Sequence, residues 1–255
     1  MNPILELEQV NFAYHSMQGE IPALLNITLQ IEDGEFIAIV GPSGCGKSTL
    51  LNLMAGMLKP DSGQIYFQKA LLTEDMPQHI GYMLQTDQLL EWRTIYQNVC
   101  LGLEIRGQLT DENKRRAIKM LLDYGLDRFL DAKPSELSGG MRQRVALIRT
   151  LVLNPDLLYL DEPFSALDYQ TRLKVGNDIG TIIKKQKKTA VLVTHDLEEA
   201  VSLAQRVVIL SQRPGTIQHI IPLDFEPTLT PMERRNTDLF RSYFHLIWKE
   251  LNQNE

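Results

Sequence analysis

The stretch G-P-S-G-C-G-K-S-T, Gly41 to Thr49, follows an unbroken apolar run, F-I-A-I-V from Phe36 to Val40. After it, S-T-L-L-N-L-M-A-G-M, Ser48 to Met57, carries leucines and methionines at near-helical spacing. Gly41, Gly46, Lys47 and Ser48 satisfy G-x-x-x-x-G-K-[ST]. The apolar run reads as a strand buried on both faces, and the leucine-rich run as a helix. A strand that feeds a glycine-rich turn into a helix N-terminus aims backbone N–H groups and the positive helix end at one point, where a phosphate chain can sit. Gly41, Gly44 and Gly46 let the backbone come close to such a ligand, with Pro42, Ser43 and Cys45 completing the loop. Lys47 brings a positive charge to β- and γ-phosphates, and the Ser48 hydroxyl is a candidate ligand for Mg²⁺. The expected fold class is α/β.

The bulk properties agree with a folded globular chain. It has 255 residues, 44% hydrophobic and 23% charged, with net charge −6. That length holds one large or two small domains. The acidic balance argues against a surface that wraps nucleic acid. No stretch reaches the roughly 20 apolar residues of a membrane span, and M-N-P-I-L-E-L-E-Q-V lacks the basic-then-apolar pattern of a secretory signal. Cys45 and Cys100 are too few for a disulfide framework, so both are expected as reduced thiols in a cytoplasmic protein.

Upstream, Ile4–Val10 and Leu24–Ile31 read as strands joined by a polar loop through His15 to Gly19, and Asp33-Gly34 as a hairpin signal into the Phe36 strand. Tyr14 is either an ordinary strand-end aromatic or a flat ring for a nucleotide base to stack on. Downstream, Asp61-Ser62-Gly63 is a turn, Gln64–Phe67 a short strand, and Ile80–Leu84 an apolar strand that ends at Gln85. Thr94 is placed to cap a helix through Leu103, with Trp92 and Arg93 in the loop before it, and Asp111–Tyr124 reads as an amphipathic helix with a solvated charged face.

Leu137-Ser138-Gly139-Gly140-Met141 precedes an expected helix, Arg142–Leu153, and a Ser-Gly-Gly at a helix start is a second potential anion site. Leu157–Leu160 is a buried strand ending in Asp161-Glu162-Pro163. Two carboxylates at the end of a central strand are costly without a task, and ligands of open α/β sheets bind at strand ends. Asp161 is the candidate Mg²⁺ holder, and Glu162 the candidate general base toward an attacking water. Ser165-Ala166-Leu167-Asp168 turns into a helix, Tyr169–Lys185, and the strand Ala190–Val193 ends in Thr194-His195-Asp196. His195 falls at the same rim and could hydrogen-bond a γ-phosphate. Thr230-Pro231-Met232-Glu233 opens a tail helix expected to run unbroken to about Leu251, with an apolar stripe of Phe240, Phe244, Ile247, Trp248 and Leu251 packed on its own domain.

These motifs together resemble the ATPase subunit of ABC transporters, from Tyr14 to Gly215. The resemblance covers the phosphate loop 41–49, Gln85 as the Q-loop glutamine, LSGGM at 137–141 as the signature, LLYLDEP at 157–163, SALD at 165–168 and His195 as the switch histidine. It implies an ABC cassette: a P-loop NTPase with a RecA-like mixed or parallel sheet core, an N-terminal antiparallel β subdomain and a helical insertion. The expected division of the single domain 1–255 is a catalytic core at 1–85 and 155–222, a helical signature region at about 86–153, and a C-terminal helix at about 230–252.

The resemblance also implies a homodimer with ATP and Mg²⁺ held between the phosphate loop of one copy and Ser138–Gly140 of the other. Gln85 would sense the γ-phosphate and Mg²⁺, and Asp168 would link the two sites. Met141 stands where the family more often has Gln, and little effect is expected there. One cassette without a membrane segment is typical of importers. LLEWRTIYQNV and VVILSQRPGTI are similar to the nitrate/sulfonate/taurine importer group, whose relatives carry thiamine-precursor pyrimidines or similar small molecules. The implied partners are membrane permease subunits, with a solute-binding protein outside, and the implied place is the cytoplasmic face of the inner membrane. The tail after 217 is too short for the regulatory β-domain of sugar-importer cassettes. Two alternatives remain: a soluble ABC ATPase acting on nucleic acid or the ribosome, and a P-loop kinase active as a monomer.

Overall fold

The computed structural model describes residues 3–17, 19–73 and 79–252. Of the expected core, Met1, Asn2, Gln18 in the His15–Gly19 loop and residues 74–78 lie outside the described residues, as do residues 253–255 at the end of the expected domain. Long strands β1 (Pro3–Ser16) and β2 (Gly19–Glu32) pair antiparallel as far as Ser16 opposite Gly19, so most of the expected polar loop is strand. The fully buried β3 (Phe36–Val40) runs into the phosphate loop and then α1 (Lys47–Met54). This helix stops three residues short of expectation, as the chain turns at Ala55 and Gly56 takes φ +71.

Strands β4 (Ser62–Phe67), β5 (Ala70–Leu71) and β6 (Ile80–Met83) follow. Among the described residues three α-helices lie between β6 and the next strand: α2 (Ile95–Ile105), α3 (Asp111–Asp123) and α4 (Gly139–Leu151), with two short 3-10 turns between α3 and α4. Thr94 and Gln97 form a reciprocal capping box at α2. The remaining elements are β7 (Leu157–Asp161), α5 (Tyr169–Lys185), β8 (Thr189–Val193), α6 (Leu197–Leu203), β9 (Arg206–Leu210), β10 (Ile217–Pro222), α7 (Pro231–Arg235) and α8 (Asp238–Asn252).

Among the described residues the strands form two sheets, a four-stranded one in the order β2-β1-β4-β5 and a six-stranded one in the order β10-β9-β3-β8-β7-β6. The first is antiparallel; the second is parallel except for edge strand β10. Asp33-Gly34 is therefore no hairpin. Gly34 (φ +77) makes a turn, but β2 and β3 go to different sheets. The reason is burial: β2 alternates between core and solvent along its second half, whereas all of β3 is apolar and needs cover on both faces.

The central sheet divides its side chains between two cores. Ile37, Ile39, Leu157, Tyr159, Val191 and Val193 meet the antiparallel sheet and α1, while Ala38, Val40, Leu158, Leu160, Ala190 and Leu192 face the helices. Tyr159 is fully buried and donates its hydroxyl to Met54 O at 2.8 Å, which ties β7 to the end of α1.

The tail departs from the single expected helix. Thr237 Oγ1 donates to Arg234 O (2.7 Å) and accepts from Phe240 N (3.2 Å), so it ends α7 and starts α8. The apolar stripe also splits: Phe240 and Ile247 are buried, but Trp248 is 55% exposed.

Candidate functional site

The parallel strands β3, β7 and β8 end side by side, and the chemistry-bearing residues follow their last residues. Asp161 closes β7 opposite Val193 of β8, and the Glu162 N–H donates to Val193 O at 2.8 Å. Glu162 takes φ +45, a left-handed conformation uncommon for a residue with a Cβ, and held here by that bond. Its carboxylate Oε2 then stands 3.2 Å from His195 Nδ1.

A cleft of about 620 Å³ collects Tyr14, Ser43, Gly44, Gly46, Lys47, Ser48, Thr49, Glu162 and His195. The Tyr14 hydroxyl is 3.0 Å from Thr49 Oγ1, and its ring meets Phe12 edge-on at 5.0 Å. Tyr14 as a residue is 43% exposed, which leaves it open to a stacking base. Lys47 is buried and donates to the carbonyls of Gly41 (2.8 Å) and Pro42 (2.9 Å), so the loop wraps its own cation. Burial pushes the Cys45 thiol pKa up, against the pull of Lys47. Gly46 has φ +104, and a Cβ there would lie 2.8 Å from Leu24 Cδ2, so the loop rests directly on β2.

Ser48 Oγ donates to Asp161 Oδ1 at 3.4 Å, and Tyr82 OH to Asp161 Oδ2 at 3.4 Å. Burial raises the Asp161 pKa, with Glu162 adding to it and Tyr82, Ser48 and Lys47 opposing. A half-buried carboxylate whose donors are long is one that a cation would stabilise. The hydroxyl and carboxylate fit Mg²⁺, which takes one or two protein oxygens and fills its octahedron with water and phosphate.

Gln85, expected in that set, is not brought to it. Its Nε2 donates to Ser165 Oγ (3.1 Å), which donates to Glu162 O (3.0 Å), and Gln85 lies outside the cleft lining. The register of β6 carries Gln85 over the turn after β7 rather than over the phosphate loop.

The signature residues also lie outside this cleft. Ser138 is exposed and caps α4 by accepting from Met141 N at 3.4 Å, so the helix begins at Gly139 rather than at Arg142. Leu137 is buried. Gly139 and Gly140 are packing residues as well: a Cβ on Gly140 would stand 2.8 Å from Val175 Cγ2, and one on Gly139 3.1 Å from Leu167 Cδ2. In the turn that follows Ser165, Ala166 and Asp168 are not buried and Leu167 is. Asp168 caps α5 by accepting from Thr171 N at 3.1 Å, and the Thr171 hydrogen bonds hold its carboxyl below the usual range.

Several participants escaped the sequence reading. Tyr82 sat in an apolar run, and its hydroxyl, which also reaches Asn52 Oδ1 at 3.1 Å, shows only once β6 lies beside β7. Arg213 and Ala23 line the cleft through a crossing: Gly215 N donates to Ala23 O (2.8 Å), and Leu25 N to Gly215 O (2.9 Å). A Cβ on Gly215 would lie 2.2 Å from Cys45 O, so only glycine fits there. The Arg213-Pro214-Gly215 turn was the available signal.

The two sheets, the helical insertion and this cleft define a nucleotide-binding P-loop cassette. The ABC transporter family model matches residues 24–165. The chain is 44% identical over 252 residues to the uncharacterized ABC transporter ATP-binding protein YtlC of Bacillus subtilis, covering 98% of this chain and 96% of that one. It is 43% identical over 220 residues to the nitrate import ATP-binding protein NrtD of Synechocystis, covering 86% and 82%. Among solved structures, it is similar to a dimeric post-hydrolysis state of the ATP-binding cassette MJ0796 bound to ADP and Pi. That similarity has a TM-score of 0.74 at 33% identity and covers 87% of this chain and 100% of that one. The chain belongs to the ABC transporter ATP-binding family, whose members are ATPases.

Proposed function

We propose that this chain is the motor subunit of an importer for a small solute: nitrate, a sulfonate, taurine or a thiamine-precursor-like molecule. The observation that carries the motor reading is the separation of Ser138 from the phosphate cleft of its own chain. An exposed helix N-terminus with no anion to face in its own chain has one to face in a second, antiparallel copy. The dimeric state of the cassette MJ0796 supports that arrangement.

In the closed dimer ATP lies on the phosphate loop, its base on Tyr14 and its γ-phosphate near Lys47. Glu162 takes a proton from the attacking water while His195, within hydrogen-bond reach, orients the carboxylate and the phosphate. Ser138 and the Gly139 and Gly140 N–H groups of the other copy stabilise charge on the transferred group. Mg²⁺, held through Ser48 and Asp161, would neutralise charge on the β- and γ-oxygens. Gln85 would join the core (1–85 with 155–222) to the helical region (86–153), and its bond to Ser165 supports a part in passing on closure.

Among the described residues no helix is long and apolar enough to cross a membrane. The motor would dock on the cytoplasmic side of permease partners, with a binding protein delivering solute from outside. The name of the NrtD relative supports an importer. Light scattering of the Glu162→Gln variant with Mg-ATP tests the arrangement: a dimer is expected, and single chains would overturn it. Co-purification with RNA instead of a permease would favour the nucleic-acid alternative.

A further inference from the structure

A second cleft, of about 560 Å³, opens at the other end of the central sheet, where β3 begins beside Gly34 and β9 is entered at Gln205. It shares no lining residue with the nucleotide cleft. Apolar walls come from Ile183, Leu203 and Phe225, and Lys184, Lys187 and Lys188 also line it, with Asp224 as the one lining carboxylate among the described residues. Lys184 donates to the carbonyls of Pro227 and Leu229, and Lys188 to Asn154 Oδ1 at 2.9 Å, so Lys187 is the lysine taken here for an incoming anion.

Arg234 also lines it and is only 9% exposed. Its Nη1 donates to Ala204 O (2.7 Å) and Ser202 O (3.4 Å) at the end of α6, and its guanidinium lies over the Phe225 ring at 4.9 Å. Its Nε has no hydrogen-bond partner among the described residues. Neighbouring Arg235 has Glu198 at 2.6 Å, whereas no carboxylate of the described residues pairs with Arg234. Burial lowers the Arg234 pKa with no acid offsetting it. A guanidinium nevertheless stays charged, and buried charges are normally paired. The carbonyl end of a helix supplies only about half a negative charge.

We propose that this cleft binds a small organic anion with an apolar body, a medium-chain or aryl carboxylate, its carboxylate toward Arg234 and Lys187 and its hydrocarbon against Ile183, Leu203 and Phe225. The occupant would rest on α6, whose other end is capped by Asp196, the residue after His195.

Octanoate, the neutral octanamide and ADP are the probes, titrated by calorimetry into the full chain. Octanoate is expected to bind equally with and without saturating ADP, and octanamide about tenfold or more weaker. Arg234→Gln should weaken octanoate about tenfold. Because that buried change can disturb folding, Lys187→Glu, at an exposed turn, is the independent variant and should weaken it similarly. Equal affinity for octanoate and octanamide, no binding at millimolar octanoate, competition by ADP, or undiminished binding in Lys187→Glu would each overturn the proposal. None of these readouts depends on hydrolysis.

Discussion

His195 Nδ1 stands 3.2 Å from Glu162 Oε2, although 33 positions separate the two residues in the chain. The contact exists because β7 and β8 are parallel neighbours in a register that puts Asp161 opposite Val193. If Glu162 is the base, Glu162→Gln will cut ATP turnover by about 10²–10⁴ while leaving nucleotide affinity intact. Paired turnover and binding assays check this, and unchanged turnover would remove Glu162 from the role.

Tyr14 meets Thr49 through its hydroxyl at 3.0 Å, and the residue is exposed enough for a base to reach its ring. Tyr14→Ala should weaken ATP about tenfold, within the ~1–3 kcal/mol of one stacked base. Tyr14→Phe should bind nearly as wild type. Equal losses in both variants, by fluorescence titration, would show that the hydroxyl matters and the stack does not.

Gly140 sits where α4 packs on α5, and a Cβ would press on Val175 and on Thr171, 3.0 Å away. Gly140→Ala should cost about 1–3 kcal/mol of stability and reduce turnover by displacing Ser138. Denaturant unfolding and ATPase assays measure the two effects.

Glu199 is buried and accepts from Thr194 Oγ1 at 2.6 Å. Burial raises its pKa from 4.5 to about 7, with Asp196 adding and Thr194, Arg172 and His195 opposing. Between pH 4.5 and about 7 the folded chain thus holds a proton that the unfolded chain has released. Stability contributed by this group is fully present below pH 4.5 and declines as pH rises through about 7, by about 1–3 kcal/mol. Urea midpoints at pH 5 and pH 8 should show this decline in the wild type and a smaller one in Glu199→Gln. Identical slopes would mean that Glu199 titrates normally.

Trp92 is 73% exposed in the loop before α2, beside Arg93, which Glu104 holds at 2.6 Å. We predict that Trp92 and the start of α2 border the groove that receives a permease helix. Trp92→Ala should reduce permease assembly and transport while sparing the ATPase activity of the isolated chain. Pull-down and uptake assays with an unaffected permease would refute the assignment.

Local covalent spacing made much of this legible before any contact was known. Gly46 and Lys47 are adjacent in the chain, so a strand, a glycine turn and a helix start suffice to shape the phosphate loop. The Thr94 cap and the buried run of β3 are equally local, because side-chain chemistry within a few residues decides them. The tail departs from its expected single helix for an equally local reason: Thr230-Pro231 marks one helix start, and Asn236-Thr237-Asp238, just before the apolar stripe, marks a second.

The sequence by itself determined which backbone segments could be strand, helix or phosphate loop, since periodicity and turn chemistry act over a few residues. Only the tertiary structure decided that β2 and β3 part into different sheets, that Tyr82 reaches Asp161, that Gln85 rests on Ser165 and that Arg234 is buried with no acid paired to it among the described residues. Those relations depend on strand order and register across long crossovers, and on burial summed over distant elements.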